Sequence, residues 1–390
     1  MLMQDIIQSY LDDLIPLRRD LHKHPELGFE ETRTSAIVAE HLEGLGLEVQ
    51  RGLGKTGVVG VLKEGSSKRT IALRADMDAL PIKEENDFAY RSVNDGKMHA
   101  CGHDGHMVML LGAARYLAET RNFIGTAYFI FQPAEEGGGG AKAMIEDGLL
   151  EKFPAQTIFG MHNRSGLEEG KFSTRTGNIM ASTDNFHITI TGRGGHAAMP
   201  HTSIDPVVIA SQVVTGLQTV VSRNIKPTDN AVVSVTCFNA GTTYNVIPNT
   251  AVLKGCIRTQ TPEVKEQVRT GIDRVLSGIC TAHGAKYEFT FLPGYPVTVN
   301  TKEETQTAVA AAVQVVGPEN VDPDTQPLMA SEDFSYYLEK IPGCYIFIGN
   351  GAGEGGPVSH RSDYDFNDGI THLGVEYWAR LVQNQLSIAD

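Results

Sequence analysis

Residues 126–150, TAYFIFQPAEEGGGGAKAMIEDGLL, pass from an apolar run through a proline, two glutamates and four glycines into a stretch with helical spacing. This is a strand that ends in a glycine-rich turn and restarts as a helix. The same alternation runs through the first 180 residues. Helices near 4–22 and 31–46 precede extended stretches at 57–63 and 70–75; a helix near 105–119 then leads to the strand at 126–132, a helix near 141–150 and the strand TIFGMH at 157–162. Helix and strand in turn give an α/β class. In open α/β sheets ligands gather at the carboxyl ends of strands. Polar side chains stand at three such ends: Asp76 and Asp78, Glu135 and Glu136, and His162.

From about 184 the rhythm changes. Segments 185–191, 204–223, 231–239, 250–259, 262–282 and 286–292 read as strand, helix, strand, strand, helix, strand, the order of a ferredoxin-like α+β domain. The chain therefore divides into a first segment at 1–183, an insertion at 184–296 and a returning segment at 297–390. The last contains the apolar strand CYIFIG at 344–349 and a helix near 369–386.

Composition narrows the function classes. The 390 residues are 41% hydrophobic and 21% charged, as in a globular protein. A net charge of −14 without a Lys/Arg-rich run argues against nucleic acid as a partner. The amino-terminal stretch is an amphipathic helix with acids from Asp5 onward, unlike a signal peptide. The apolar stretch at 207–222 is too short and polar to span a bilayer. No membrane partner and a cytoplasmic location are expected. The cysteines, Cys101, Cys237, Cys256, Cys280 and Cys344, are odd in number and scattered, which favours reduced thiols.

The densest chemistry lies in MHACGHDGHM at 98–107, where Cys101, His103, Asp104 and His106 all offer metal-binding or proton-transfer groups on one short turn. An isolated C-x-H is equally a buried Cys beside helix-capping polar groups, so the rest of the chain has to decide. Paired Glu135 and Glu136 suit a carboxylate ligand beside a proton shuttle. MHNRSG at 161–166 and VSHRSDYDFND at 358–368 add His162 and His360. Cys101, His103, Glu136, His162 and His360 together make five protein ligands of types suited to two divalent metals.

With these motifs assembled, the chain resembles the M20 family of metallopeptidases and amidohydrolases, in particular the subgroup with hippurate hydrolase, N-acyl-amino-acid deacylases and auxin-conjugate hydrolases. The matching stretches are HPELGFEE at 24–31, RADMDALPI at 74–82, MHACGHDGH at 98–106, QPAEEG at 132–137, GRGGHAAMPH at 192–201, YNVIPN at 244–249, SEDFS at 331–335 and YDFND at 364–368. The resemblance implies a mixed-sheet, zinc-peptidase-like catalytic domain interrupted by a ferredoxin-like lid that also dimerises, hence a homodimer or higher homo-oligomer.

It also implies that Cys101, His103, Glu136, His162 and His360 bind two divalent ions, among Mn, Zn, Co and Ni. Glu135 would then be the general acid/base and Asp78 the carboxylate that orients a ligand imidazole. Asp76 stands where other M20 branches place a histidine ligand. His196 resembles the lid histidine that stabilises the oxyanion, in family dimers from the partner subunit. Asn245 and Arg258 lie in lid motifs associated with holding the substrate carboxylate. The implied reaction is hydrolysis of the amide of an N-acyl-amino acid, of hippurate, N-acetyl or indoleacetyl type, by metal-activated water. Cys101 as a nucleophile is the less economical reading, because it sits inside the ligand motif.

Two departures flank the ligands: Asn163, Arg164 and Ser165 follow His162 where the family has an aromatic residue and often a proline, and Arg361 follows His360 where Asn is usual. A guanidinium pairs bidentately with carboxylate, so Arg164 or Arg361 facing the substrate would favour an acidic acyl-amino acid; the alternative is a surface ion pair. A dipeptidase or aminopeptidase of the same fold is the second reading, and a non-catalytic metal-binding protein the third. The latter has no need of Glu135 and His196. A zinc nucleoside deaminase is excluded by the missing H-x-E and P-C-x-x-C pair.

Overall fold

The structure, a computed structural model, describes residues 2–351 and 358–388. The chain forms two compact units, one comprising Met1–Ile179, Val299–Gln326 and Asp333–Asp390, the other Met180–Thr298 and Pro327–Glu332.

The first unit is built on a mixed sheet of eight strands among the described residues. Their order is Glu48–Leu53, Gly57–Glu64, Gly125–Gln132, Thr70–Asp76, Thr157–Arg164, Gly343–Gly349, Phe172–Ser173 and Val321–Asp322. The run from Gly125–Gln132 to Gly343–Gly349 is parallel, so the carboxyl ends of four adjacent strands share one edge. These strands read as continuous apolar stretches because both faces are covered: Phe129, Phe131, Phe159 and Ile346 are all fully buried. The helix His103–Thr120 packs on the strand Thr70–Asp76 and against the helices Leu11–Lys23 and Thr371–Gln385. It is buried over most of its length, from His103 to Leu117, which explains why its stretch from Met107 to Ala114 is apolar all round.

Local structure departs from the sequence reading in three places. The helix expected over 4–22 is two, Met3–Gln8 and Leu11–Lys23, with buried Tyr10 at the joint. The helix expected over 141–150 is likewise two, Gly140–Glu146 and Leu149–Lys152, separated by Gly148 at φ +84°. The strand Glu48–Leu53 carried no signal because it is an edge strand and mostly solvent-exposed, so its residues do not alternate.

The second unit carries an antiparallel sheet in the order Ala231–Ala240, Thr250–Thr259, Asp184–Thr191, Lys286–Pro293. The helices Pro206–Asn224 and Pro262–Ala282 pack on it. Strict alternation in Asp184–Thr191 sends Phe186, Ile188 and Ile190 into the core, each contributing about 1.5–3 kcal/mol of apolar burial. Both helices begin with Pro behind an N-cap. Asp205 accepts from Val207 N, and Thr261 from Val264 N. Such caps each stabilise by about 1 kcal/mol. No helix among the described residues is long and apolar enough to cross a membrane.

Candidate active site

The shared carboxyl edge of the parallel strands collects the chemistry. Thr70–Asp76 ends in Asp76 and runs on to Asp78, Gly125–Gln132 runs into Glu135 and Glu136, and His162 lies in Thr157–Arg164. Cys101 ends a loop that enters the helix His103–Thr120 through Gly102, which has φ +95°. Only glycine fits there. A Cβ would fall 2.4 Å from Asn163 Oδ1 and 2.6 Å from Tyr364 Oη. His360 arrives from the carboxyl-terminal segment at φ +70°, its N–H donating to the carbonyl of Ala100 at 2.7 Å.

Ligand-type atoms of Cys101, His103 and His162 lie within 4.8 Å of one another. The same holds for Cys101, Glu136 and His360, and for His103, Glu135 and Glu136. Because the sets share Cys101, His103 and Glu136, six side chains surround one small volume. Within it, Cys101 Sγ is 3.3 Å from His162 Nε2, and His360 Nε2 is 3.0 Å from Glu136 Oε1.

These residues fit divalent cations. His103 is fully buried; its Nδ1 lies 2.8 Å from the carbonyl and 3.2 Å from the carboxylate of Asp78, while its Nε2 has no hydrogen-bond partner among the described residues. His162 Nδ1 lies 2.6 Å from the Asn163 carbonyl, which fixes the tautomer with a bare Nε2. Burial, with the neighbouring His106, holds the His162 pKa well below the usual imidazole value. Burial and the nearby charges of Glu136, Glu135 and Asp76 push the Cys101 thiol well above its ordinary pKa. A buried thiol among carboxylates is a setting in which a bound cation favours the thiolate.

Four side chains that the sequence reading left without a role support this volume from below. His106 Nδ1 is 2.6 Å from Asp76 Oδ1, and its Nε2 is 2.7 Å from Asn163 Oδ1. Asn163 Nδ2 donates to Tyr364 Oη at 2.6 Å. Arg74, fully buried, donates to Asp76 at 2.6 Å, to Asp333 at 3.0 Å and to Gln132 at 2.8 Å. Asp76 thus pairs with Arg74 and His106, and its Oδ2 lies 3.8 Å from His103 Nε2.

The cluster in MHACGHDGHM does not act as one set. Asp104 turns away from Cys101 and His103 toward Arg18 at 3.3 Å and His22 at 2.9 Å. His22 also meets Glu84 at 3.1 Å, and Arg18 reaches Asp365 and Asp368. Burial alone lowers the His22 pKa, but the hydrogen bonds that its ring donates to Asp104 and Glu84 prevail and raise it to about 9.

The two arginines differ. Arg361 forms a two-pronged pair with Asp363, at 2.8 and 2.6 Å, and its side chain is 56% exposed. Arg164 lies over the Phe347 ring at 5.5 Å and, among the described residues, its side chain makes one hydrogen-bond contact, at 3.5 Å to Thr325 Oγ1. In the second unit, His196 is exposed on the short strand Gly195–His196, which pairs with Val246–Ile247, and its Nδ1 accepts from Ala198 N at 3.1 Å. Asn245 is exposed, with its carbonyl accepting from Ala197 N at 3.0 Å. Arg258 donates to Ser331 Oγ at 2.7 Å.

Residues 72–384 match the model of peptidase family M20/M25/M40. The chain belongs to that family. The M20 chain is 43% identical over 370 residues to the hippurate hydrolase of Campylobacter jejuni, covering 95% of this chain and 96% of the relative. It is 42% identical over 371 residues to the N-acetylcysteine deacetylase of Bacillus subtilis, covering 94% and 95%. The crystal structure of the Bacillus subtilis YXEP protein, described as a dinuclear metal-binding peptidase of the M20 family, superposes with a TM-score of 0.85 at 36% identity and covers 97% of this chain and 99% of that one. Membership of M20 makes this chain a metal-dependent hydrolase of the amidohydrolase and peptidase type.

Proposed function

We propose that this M20 protein hydrolyses the amide bond of N-acyl-amino acids, with Glu135 as the general base and later the general acid. The observation that carries the reading is the convergence of Cys101, His103, Glu136, His162 and His360 around one volume, with Glu135 beside His103 and Glu136 on its wall. These five residues would hold two divalent ions. When bound, such ions polarise a carbonyl and lower the pKa of a water toward neutrality.

The chain's own groups do the rest. Glu135, buried and facing His103 and Glu136, accepts the proton of the attacking water and delivers it to the leaving amine. Asp78 fixes the tautomer of His103 through Nδ1 and holds the backbone of Glu136, whose N–H donates to Asp78 Oδ2 at 2.9 Å. His196 is assigned to the oxyanion, supplied by a partner subunit, and Asn245 and Arg258 to the substrate carboxylate. Arg164 follows His162 by two residues on one strand and so shares its face; it is assigned to a second acidic group on the substrate. The lid role and homodimerisation of the second unit are supported by the exposed edge strand Ala231–Ala240, which leaves Val232 and Phe238 in solvent.

The test is an assay of protein reconstituted with Mn²⁺ or Zn²⁺ on N-acetyl-amino acids, N-benzoyl-amino acids and free dipeptides, with Glu135→Gln as control. Metal-dependent cleavage of blocked amines that is lost in the variant supports the reading. Cleavage confined to free dipeptides replaces it with a dipeptidase.

A further inference from the structure

The motif HPELGFEE contributes no group to the metal site, yet its last residue is one of the most unusual in the molecule. Glu31 is fully buried, and it pairs with no cation among the described residues. One oxygen accepts the backbone N–H of Ala134 at 2.9 Å and the other the hydroxyl of Thr56 at 2.6 Å. Burial raises its pKa, so the carboxyl stays in the interior at a cost.

Ala134 immediately precedes Glu135, and it is a non-glycine residue with φ +51°. An alanine does not rest there by itself, because its Cβ crowds the backbone. The surroundings impose the conformation. Gly28 of the same motif lies so close that a Cβ on it would fall 2.9 Å from Ala134 Cβ. Gly140 N donates to the Ala134 carbonyl at 3.1 Å, and Asp78 takes the N–H of Glu136 at 2.9 Å. The motif itself is tied down by Ala79 N, which donates to Glu26 O at 2.8 Å.

We propose that Glu31 is a positioning residue for catalysis: by holding the Ala134 amide it locks the left-handed turn that aims the Glu135 carboxylate. This rests on Glu135 being the general base. A base displaced by an ångström loses about 10²-fold in rate even when substrate and cofactor still bind.

Glu31→Gln keeps an acceptor for the Ala134 amide, whereas Glu31→Leu removes it without opening a cavity; Glu31→Ser serves if the leucine variant does not fold. Steady-state rates on N-acyl-amino acids are read with metal content and melting temperature. Expected is a fall in kcat of about 100-fold for Glu31→Leu with KM and metal content unchanged, and a change within about threefold for Glu31→Gln. Adding Ala134→Gly to Glu31→Leu should restore at least about tenfold, because glycine adopts φ +51° unaided. Equal losses in the Gln and Leu variants, loss of metal along with rate, or no recovery with glycine would each overturn the proposal. Glu135→Gln is measured beside them. If it keeps its activity, the general-base assignment fails, whatever Glu31 does.

Discussion

His103 meets Asp78 twice, its Nδ1 2.8 Å from the backbone carbonyl and 3.2 Å from the carboxylate, and its buried Nε2, 3.8 Å from Asp76 Oδ2, has no hydrogen-bond partner among the described residues. One ring nitrogen is fixed so that the other can be offered. Asp78 also accepts the Glu136 amide on its carboxylate, so one residue, through its backbone carbonyl and its carboxylate, contacts two of the proposed ligands. Asp78→Ala is therefore expected to weaken metal binding by about 10–100-fold, read by competition with a chelator. Unchanged affinity would show that His103 and Glu136 are oriented by something else.

Glu135→Gln preserves the shape of a buried side chain and removes its basicity. A fall in kcat of about 10²–10⁴-fold is expected, with metal content at the level of the unaltered protein. Retained turnover would take Glu135 out of the proton transfer.

Gly102→Ala places a methyl group 2.4 Å from Asn163 Oδ1 at a residue with φ +95°. Both effects fall on the loop between Cys101 and His103. A destabilisation of about 1–3 kcal/mol is expected in denaturant unfolding, with reduced metal content. A variant that binds metal normally would mean that the loop has slack the packing does not show.

The His22 pair makes stability depend on pH. Asp104, Glu84, Arg18, Tyr90 and His99 face this imidazole, and its folded pKa is about 9, above the ordinary 6.5. A raised imidazole pKa means the folded state holds the proton more tightly, so the stabilisation is fully present below about pH 6.5 and is lost as pH rises through 9. Unfolding by urea should show a loss of roughly 3 kcal/mol across that window, flattened in His22→Gln. A flat profile in the unaltered protein would contradict the pairing.

Arg361 already spends both prongs on Asp363 in solvent, whereas Arg164 pairs with no carboxylate among the described residues. Arg361→Ala is thus expected to change rates on acidic and neutral acyl-amino acids by the same factor. Arg164→Ala should depress kcat/KM for the acidic ones selectively, by about tenfold or more. Equal factors for both variants would remove arginine recognition from the substrate model.

The α/β class, the strand–helix rhythm of the two units and the donor types of the site were legible in the sequence, because periodicity, turn residues and ligand spacing are local properties. Short range also explains the errors: a solvent-facing edge strand such as Glu48–Leu53 has no pattern to read, and a joint inside one amphipathic run, as at Tyr10, looks like continuous helix. Which polar side chains share a partner is instead a matter of long-range packing. Asp104 stands next to His103 in sequence but pairs with Arg18 and His22, while Glu31 binds the amide of Ala134, 103 positions along the chain. Such pairings depend on the sheet setting Thr70–Asp76 beside Gly125–Gln132 and Thr157–Arg164, an order fixed by burial across the whole unit rather than by any one segment.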